Sequence, residues 1–301
     1  MLTEKVFMRK SAKKDFCLDR PIFIIGAPRT GKSMIGDTLQ ASGEIFDNGE
    51  AMMIWNLGMK RRNSDVRHSH EASLALREKI VSLCAKSVHR YGKKRYLDNL
   101  SYNMLRIPFI NKLIPEAKII HVYRNGEKAI PEILFGWTNH NTIRKAVRHR
   151  WRKINPKTFP PLLLRFASNY VRTMMGYSRS TWGPITPGMM DFKKSHSLEE
   201  LVAYQWVSLI SVARRDLGKL PDNSWIEVRY EDMISDPENK FEQICKFCEV
   251  ENPEAVIQHA KKNINPHQLP KHAQNFKFIP KPEKWNLIME MIKTTQYELG
   301  Y

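Results

Sequence analysis

The eight residues Gly26-Ala-Pro-Arg-Thr-Gly-Lys-Ser33 constrain the fold more than any other part of the chain, because they satisfy the pattern G-x-x-x-x-G-K-[ST] at every position. The pattern needs a buried strand before it and a helix after it. Both are legible: Pro21-Ile-Phe-Ile-Ile-Gly26 is an apolar run of strand length, and residues 33–39 suit a helix. Such a loop turns backbone N–H groups toward an oxyanion. The helix N-terminus adds a favourable dipole, and Lys32 supplies a point charge. The expected ligand at this place is a phosphate-like group.

The strand, loop and helix rhythm then repeats. A short run at residues 96–99 precedes Ala117-Lys-Ile-Ile-His-Val-Tyr123, a second buried strand that leads into Arg124-Asn-Gly126 and a helix-like segment. Residues 198–217 predict a long helix that stops at Gly218 and Pro221. Ser224-Trp-Ile-Glu-Val-Arg229 is a third strand, followed by Tyr230-Glu-Asp232 and a helix opening near Pro237. Strands alternating with helices predict an α/β, P-loop-like three-layer fold with a central parallel sheet flanked by helices. The chain is read as one domain over residues 1–301. It carries a proline-interrupted substrate-side insert at about 135–197 and a Pro/Lys-rich C-terminal tail at about 263–301.

Composition excludes several classes. A 301-residue chain with 27% charged and 42% hydrophobic residues is globular in character, and its net charge is +18. No stretch approaches the roughly 20 apolar residues of a membrane helix. The first twenty residues mix six cations with acids and lack a signal-peptide core, so the expected location is cytoplasmic, or peripheral to a membrane. Four cysteines are too few for a disulfide framework. Cys245 and Cys248 share helical spacing with Phe241 and Ile244 and are expected in the core. His68 and His70 have no further ligand at metal spacing and read as a solvated loop, so no metal site is expected.

A phosphate loop does not by itself say what is transferred. A nucleotide hydrolase or kinase also presents a Mg²⁺-binding acid at the end of a buried strand. Here the strand 117–123 ends in Arg124, a cation that suits another anionic group of the ligand. Asp232, after the third strand, keeps a Mg²⁺-dependent P-loop hydrolase or kinase open as the alternative.

Together these residues resemble a known family. Pro28-Arg29-Thr30-Gly31-Lys32-Ser33 resembles the phosphosulfate loop of sulfotransferases that use 3′-phosphoadenosine 5′-phosphosulfate (PAPS). Arg124 is similar to their 3′-phosphate arginine, and Arg229-Tyr-Glu-Asp-Met-Ile-Ser-Asp-Pro237 resembles their RYEDL…DP segment. The three motifs occur in the family's order across residues 21–250. Weaker similarities at Gly49-Glu50, Asn103-x-x-Arg106, Trp182-Gly-Pro184 and Gln205-Trp206 resemble the bacterial, carbohydrate-directed branch.

The resemblance implies transfer of a sulfonyl group from PAPS to a hydroxyl of a carbohydrate or glycolipid, with 3′-phosphoadenosine 5′-phosphate (PAP) as product. It implies that Arg29 and Lys32 are catalytic. It further implies that Pro28, Arg29, Thr30, Gly31, Lys32, Ser33, Met34, Arg124 and Lys128 hold the nucleotide, with Tyr230 stacked on its adenine. Fixed cations suit this chemistry, since charge develops on the leaving phosphate. The acceptor needs a base. Glu50 is the first choice, because the strand-like stretch 44–47 returns it to the active-site edge of the sheet; His140 and His121 are weaker candidates, His121 reading as a packed core residue.

Two departures stand out. The family's serine eight residues after the strand-end arginine is Glu132 here, and an acid would repel phosphate. A shift of one helical turn that brings Lys128 to the site and turns Glu132 away is the expected resolution, with Gly126 freeing the backbone. The family's C-terminal R-K-G loop is not recognisable, and Lys271, Lys277 and Lys281 are the nearby stand-ins. A catalytically weakened nucleotide-binding member is therefore a further alternative.

The basic excess is uneven. Arg144, Lys145, Arg148, Arg150, Arg152 and Lys153 cluster around Trp151 without an acid, and residues 86–95 hold five more cations. Beside a small-molecule or glycan acceptor, an acidic glycan or an anionic membrane surface fits these patches. Charge alone also suits nucleic acid, but no nucleic-acid-binding module is recognisable and none is expected as a partner.

Overall fold

The computed structural model describes residues 18–49, 51–60, 62–138, 181–264 and 282–301. The expectations for Glu50, His140, the 144–153 basic cluster and Lys271, Lys277 and Lys281 lie outside the described residues.

Strand β1 (Ile22–Ile25) leads through the phosphate loop into helix α1 (Lys32–Leu39), which is followed by β2 (Ile45–Asp47), α2 (Met52–Trp55) and α3 (Leu74–Arg90). Then come β3 (Arg95–Asp98), α4 (Ile107–Leu113), β4 (Lys118–Tyr123) and α5 (Gly126–Thr138). After residue 180 the described chain continues with α6 (Met189–Phe192), α7 (Leu198–Leu217), β5 (Trp225–Arg229), α8 (Tyr230–Ser235), α9 (Pro237–Cys248), α10 (Pro253–Asn263) and α11 (Pro282–Glu298). Among the described residues the five strands form one sheet in the order β2-β3-β1-β4-β5. Every neighbouring pair is parallel, with Ile22 opposite Leu97 on one side and Lys118 on the other. The predicted layered α/β architecture is the observed one.

Side chains of a strand alternate between faces. Phe23 and Ile25 of β1 therefore join one core with residues of α3, α4, α5, α7 and α11, while Ile22 and Ile24 join a second core with α1, α8, α9 and α10. The helices are bounded by local chemistry. Ser197 and Glu200 form a reciprocal capping box at the start of α7, and Asp236 accepts from the Asn239 N–H to start α9 behind Pro237. Cys245 and Cys248 are buried on α9, as their spacing predicts, and burial raises both thiols to about 12.

Two boundaries differ from the sequence-based expectation. Residues 135–138, assigned to the insert, complete the last turn of α5. The expected tail includes the 17-residue helix α11, because Ile288, Ile292, Thr295 and Gln296 recur at helical spacing and are buried. Among the described residues no helix is long and apolar enough to cross a membrane.

Candidate active site

A parallel sheet places the C-terminal ends of all its strands on one edge, where the loops collect. Three of those loops meet here: residues 26–31 after β1, Arg124 and Asn125 after β4, and Tyr230 with Glu231 after β5. Two glycines make the first of them fit. A Cβ on Gly26 would run into the Val122 carbonyl and the Thr30 hydroxyl. Gly31, at φ 86°, would place a Cβ 2.7 Å from Tyr230 Cδ2. Thr30 Oγ1 and Lys32 Nζ each donate to the Ala27 carbonyl oxygen over 2.9 Å, which ties the loop across its own mouth. Pro28, Thr30 and Lys32 are buried, Arg29, Gly31 and Met34 partly so, and Ser33 is exposed. At the start of α1 the Met34 and Ile35 N–H groups donate to the Gly31 carbonyl oxygen at 3.0 and 3.3 Å, and the N–H groups before them have no acceptor within the helix.

The charges are held away from water. Burial, reinforced by the Arg29 charge, lowers the Lys32 amine to about 7. Burial likewise lowers Arg29, with the Glu132 charge opposing and Arg124 adding to the effect. Arg124 Nη1 donates to the Arg29 carbonyl oxygen at 2.9 Å, and its guanidinium lies 4.5 Å from the centre of the Tyr230 ring. Tyr230 therefore covers Gly31 with its edge and gives one face to Arg124. Arg29 Nε and Arg124 Nε are buried without an acceptor. A buried N–H lacking its partner is costly, so these donors fit an incoming anion.

The expectation for Glu132 and Lys128 is corrected. Glu132 Oε1 pairs with Arg124 Nη2 at 3.0 Å, and both residues are under 10% exposed. Lys128 is exposed in the first turn of α5. A slip of one turn is prevented by packing: Ala129, Ile130, Ile133 and Leu134 fill the core, and their positions put Glu132 on the same side of α5.

Other candidates fall where the sequence analysis puts them. His121 is fully buried in β4 with Nδ1 3.0 Å from Glu227 Oε1, and Trp206 is core. His68 and His70 are exposed and stack at 5.4 Å. Asp232, about half-exposed on α8, faces Lys240 at 4.0 Å.

Two supports of the site escape sequence reasoning. Trp182 lies beneath the Arg29 guanidinium, 5.9 Å from ring centre to Cζ. Its loop is held by Gln205 Nε2, which donates to the Trp182 and Pro184 carbonyls at 3.0 and 2.8 Å, and by Tyr102 Oη, which donates to the Gly183 carbonyl at 3.0 Å. The second support comes from the far end of the sequence. Gln296 Oε1 accepts from the Gly126 N–H at 2.9 Å, and Tyr301 Oη donates to Glu231, whose other oxygen accepts from Asn125 N–H. The only advance signal was Trp182-Gly-Pro184 and Gln205 as weak family similarities; nothing pointed to Gln296 or Tyr301.

A glycine-bounded loop at the edge of a parallel sheet, with Arg29 and Lys32 on it and Arg124 beside it, defines a phosphate-loop-like α/β protein. A family model described as the sulfotransferase family matches residues 21–155 and 165–254, and the chain belongs to that family. An uncharacterised protein of Aquifex aeolicus is 25% identical over 146 residues, 44% of this chain and 19% of that relative, so the match spans about a fifth of the relative's length. Among solved structures, the sulfotransferase domain from the curacin biosynthetic pathway has 13% identity and a TM-score of 0.47, with 92% of this chain and 98% of that chain covered. Sulfotransferase STF1 of Mycobacterium tuberculosis has 11% identity and a TM-score of 0.47, covering 92% and 77%. Mouse sulfotransferase SULT7A1 complexed with PAP has 12% identity and a TM-score of 0.44, covering 92% and 85%.

Proposed function

We propose that this protein transfers a sulfonyl group from PAPS to a hydroxyl acceptor, a carbohydrate or glycolipid, and releases PAP. The observation that carries the proposal is the gathering of Arg29 and Lys32 of the phosphate loop with Arg124 of the β4 turn, with two buried guanidinium N–H groups lacking acceptors. When bound, the phosphosulfate supplies the sulfonyl group and a phosphate leaving group. The loop N–H groups and Lys32 hold the 5′ end, and Arg29 and Lys32 stabilise the charge that grows on the leaving phosphate. Arg124 reads the 3′-phosphate, and Tyr230 positions Arg124 and borders the nucleotide. Glu50, three residues after the end of β2 in the sequence, takes the proton of the acceptor hydroxyl. The +18 charge favours an acidic glycan or an anionic membrane surface as the setting of the acceptor, on a cytoplasmic, peripherally attached protein.

The competing P-loop hydrolase or kinase needs a divalent cation for turnover. Incubation with radiolabelled PAPS and a panel of glycan and glycolipid acceptors, with Mg²⁺ or with EDTA, separates the two. Label transfer that survives EDTA supports the proposal. Mg²⁺-dependent release of phosphate from ATP or GTP, with no sulfonyl transfer, rejects it.

A further inference from the structure

The cations of the site do not all await a ligand. Arg124 has both Nη atoms engaged, one on the Arg29 carbonyl oxygen and the other on Glu132 Oε1, while its buried Nε has no acceptor. Glu132 is not a passing surface contact. It is 6% exposed, and the packing of α5 fixes its position in the helix. Its carboxylate pairs with Arg124 at 3.0 Å, and Arg124 in turn reaches the Arg29 carbonyl oxygen and the Tyr230 ring, so Glu132 belongs to the group of side chains gathered at the site.

We infer that Glu132 is a specificity-determining residue for the donor nucleotide: by neutralising Arg124 it removes most of the preference for a ribose phosphate over a free ribose hydroxyl. The inference rests on the proposed reading of Arg124 as the residue that meets the 3′ side of the nucleotide. A ribose phosphate brings a charge of about −1.5 to −2 at neutral pH and has to displace or share Arg124 with a resident carboxylate. A ribose hydroxyl brings none. It donates to a carboxylate oxygen and accepts from a guanidinium N–H, so an Arg–Glu pair satisfies both of its roles. The same division of labour operates in dinucleotide sites, where an acid takes a ribose hydroxyl and an arginine takes a ribose phosphate. This site holds both residues, in contact with each other.

Calorimetric titration of PAP and ADP into the full chain, as wild type, Glu132→Gln, Glu132→Ser and Arg124→Ala, tests the inference, with thermal unfolding confirming that each variant is folded. Wild type is expected to bind PAP and ADP within about threefold of each other, and both Glu132 variants to bind PAP about tenfold tighter with ADP little changed, the gain of one uncompensated charge-assisted contact. Glu132→Gln keeps the size of the side chain and Glu132→Ser removes it, so a folding defect in one leaves the other decisive. A wild type that prefers PAP by about a hundredfold, with the ratio unchanged in the Glu132 variants, overturns the inference while the reading of Arg124 stands. Unchanged PAP affinity in Arg124→Ala overturns that reading, and the inference with it.

Discussion

Arg124 donates to the carbonyl oxygen of Arg29 across 2.9 Å, so the turn after the fourth strand and the phosphate loop after the first are fastened to each other. The bond also holds Arg29 at φ 68°, a backbone conformation that non-glycine residues seldom adopt. Removing Arg124 therefore loosens the loop and, in the proposed reading, costs a ligand contact. Arg124→Ala is expected to weaken PAP binding tenfold or more, because it removes the contact and also leaves the Glu132 carboxylate uncompensated beside the 3′-phosphate, and to change ADP binding less. Equal losses for the two nucleotides, measured by titration calorimetry, would show that Arg124 serves the loop alone.

In the proposed reading, Lys32 makes nucleotide binding depend on pH. Its amine titrates near 7 in the free protein instead of near 10.5, because burial disfavours the ammonium and Arg29 adds repulsion. An anion at the loop favours the ammonium, so above pH 7 binding takes up a proton and affinity falls as pH rises. Calorimetry near pH 8 in two buffers of different ionisation heat should give an uptake close to one proton per PAP, and none in Lys32→Ala. For stability the sign is the same as for any base depressed by folding. Between about 7 and 10.5 the unfolded chain holds the extra proton, so this group makes the protein more stable with rising pH across that window.

Arg29 and Lys32 both serve the leaving phosphate in the proposed reaction. Replacing either by alanine is expected to lower transfer by a factor on the order of 10² or more while the thermal transition stays cooperative. Near-normal turnover in both variants would remove the assignment of the loop as the reacting centre.

Gly31→Ala addresses the loop from its backbone. The new Cβ would meet the Tyr230 ring at 2.7 Å and would sit at φ 86°, so the substitution is expected to destabilise the fold by about 1–3 kcal/mol. Urea denaturation of Gly31→Ala alone and in a Tyr230→Ala background separates the two causes. Partial recovery in the second background identifies the collision; identical losses assign the whole effect to φ.

Gln205 straps the loop whose Trp182 lies against Arg29. Gln205→Ala leaves the carbonyls of Trp182 and Pro184 without their shared donor and is expected to cost about 1–3 kcal/mol. Because Trp182 sits under Arg29, transfer activity should fall more steeply than stability alone explains. A variant that is destabilised but retains full activity at low temperature would confine Gln205 to the scaffold.

What the sequence made legible follows the range of the interactions. The loop at residues 26–33, the strand carrying His121 and the helix 198–217 are written in local periodicity and turn chemistry, and each stands within a few residues of its expected bounds. Arg124 was legible because a cation at a strand end is unusual in its own right. The orientation of Glu132 was not, since the charge pattern argued for turning it away while the apolar spacing of Ala129, Ile130 and Ile133 held it in. Helix α11 was hidden behind a Pro- and Lys-rich approach that reads as a tail. Gln205, Gln296 and Tyr301 act across many residues through single hydrogen bonds, which leave no periodic trace.

The bond from Gly126 N–H to Gln296 joins residues 170 positions apart, and it lies beside the arginine that completes the site. During synthesis, at about 5–20 residues per second, the first half of the cleft waits many seconds for this partner after leaving the ribosome. The β1 loop and the β4 turn can form early, but the groups that brace them arrive only when residues 296–301 emerge. Contacts of such long sequence separation slow folding. Full bracing of these loops therefore waits on residues 296–301, and a nascent chain stalled before residue 296 carries the phosphate loop without that brace.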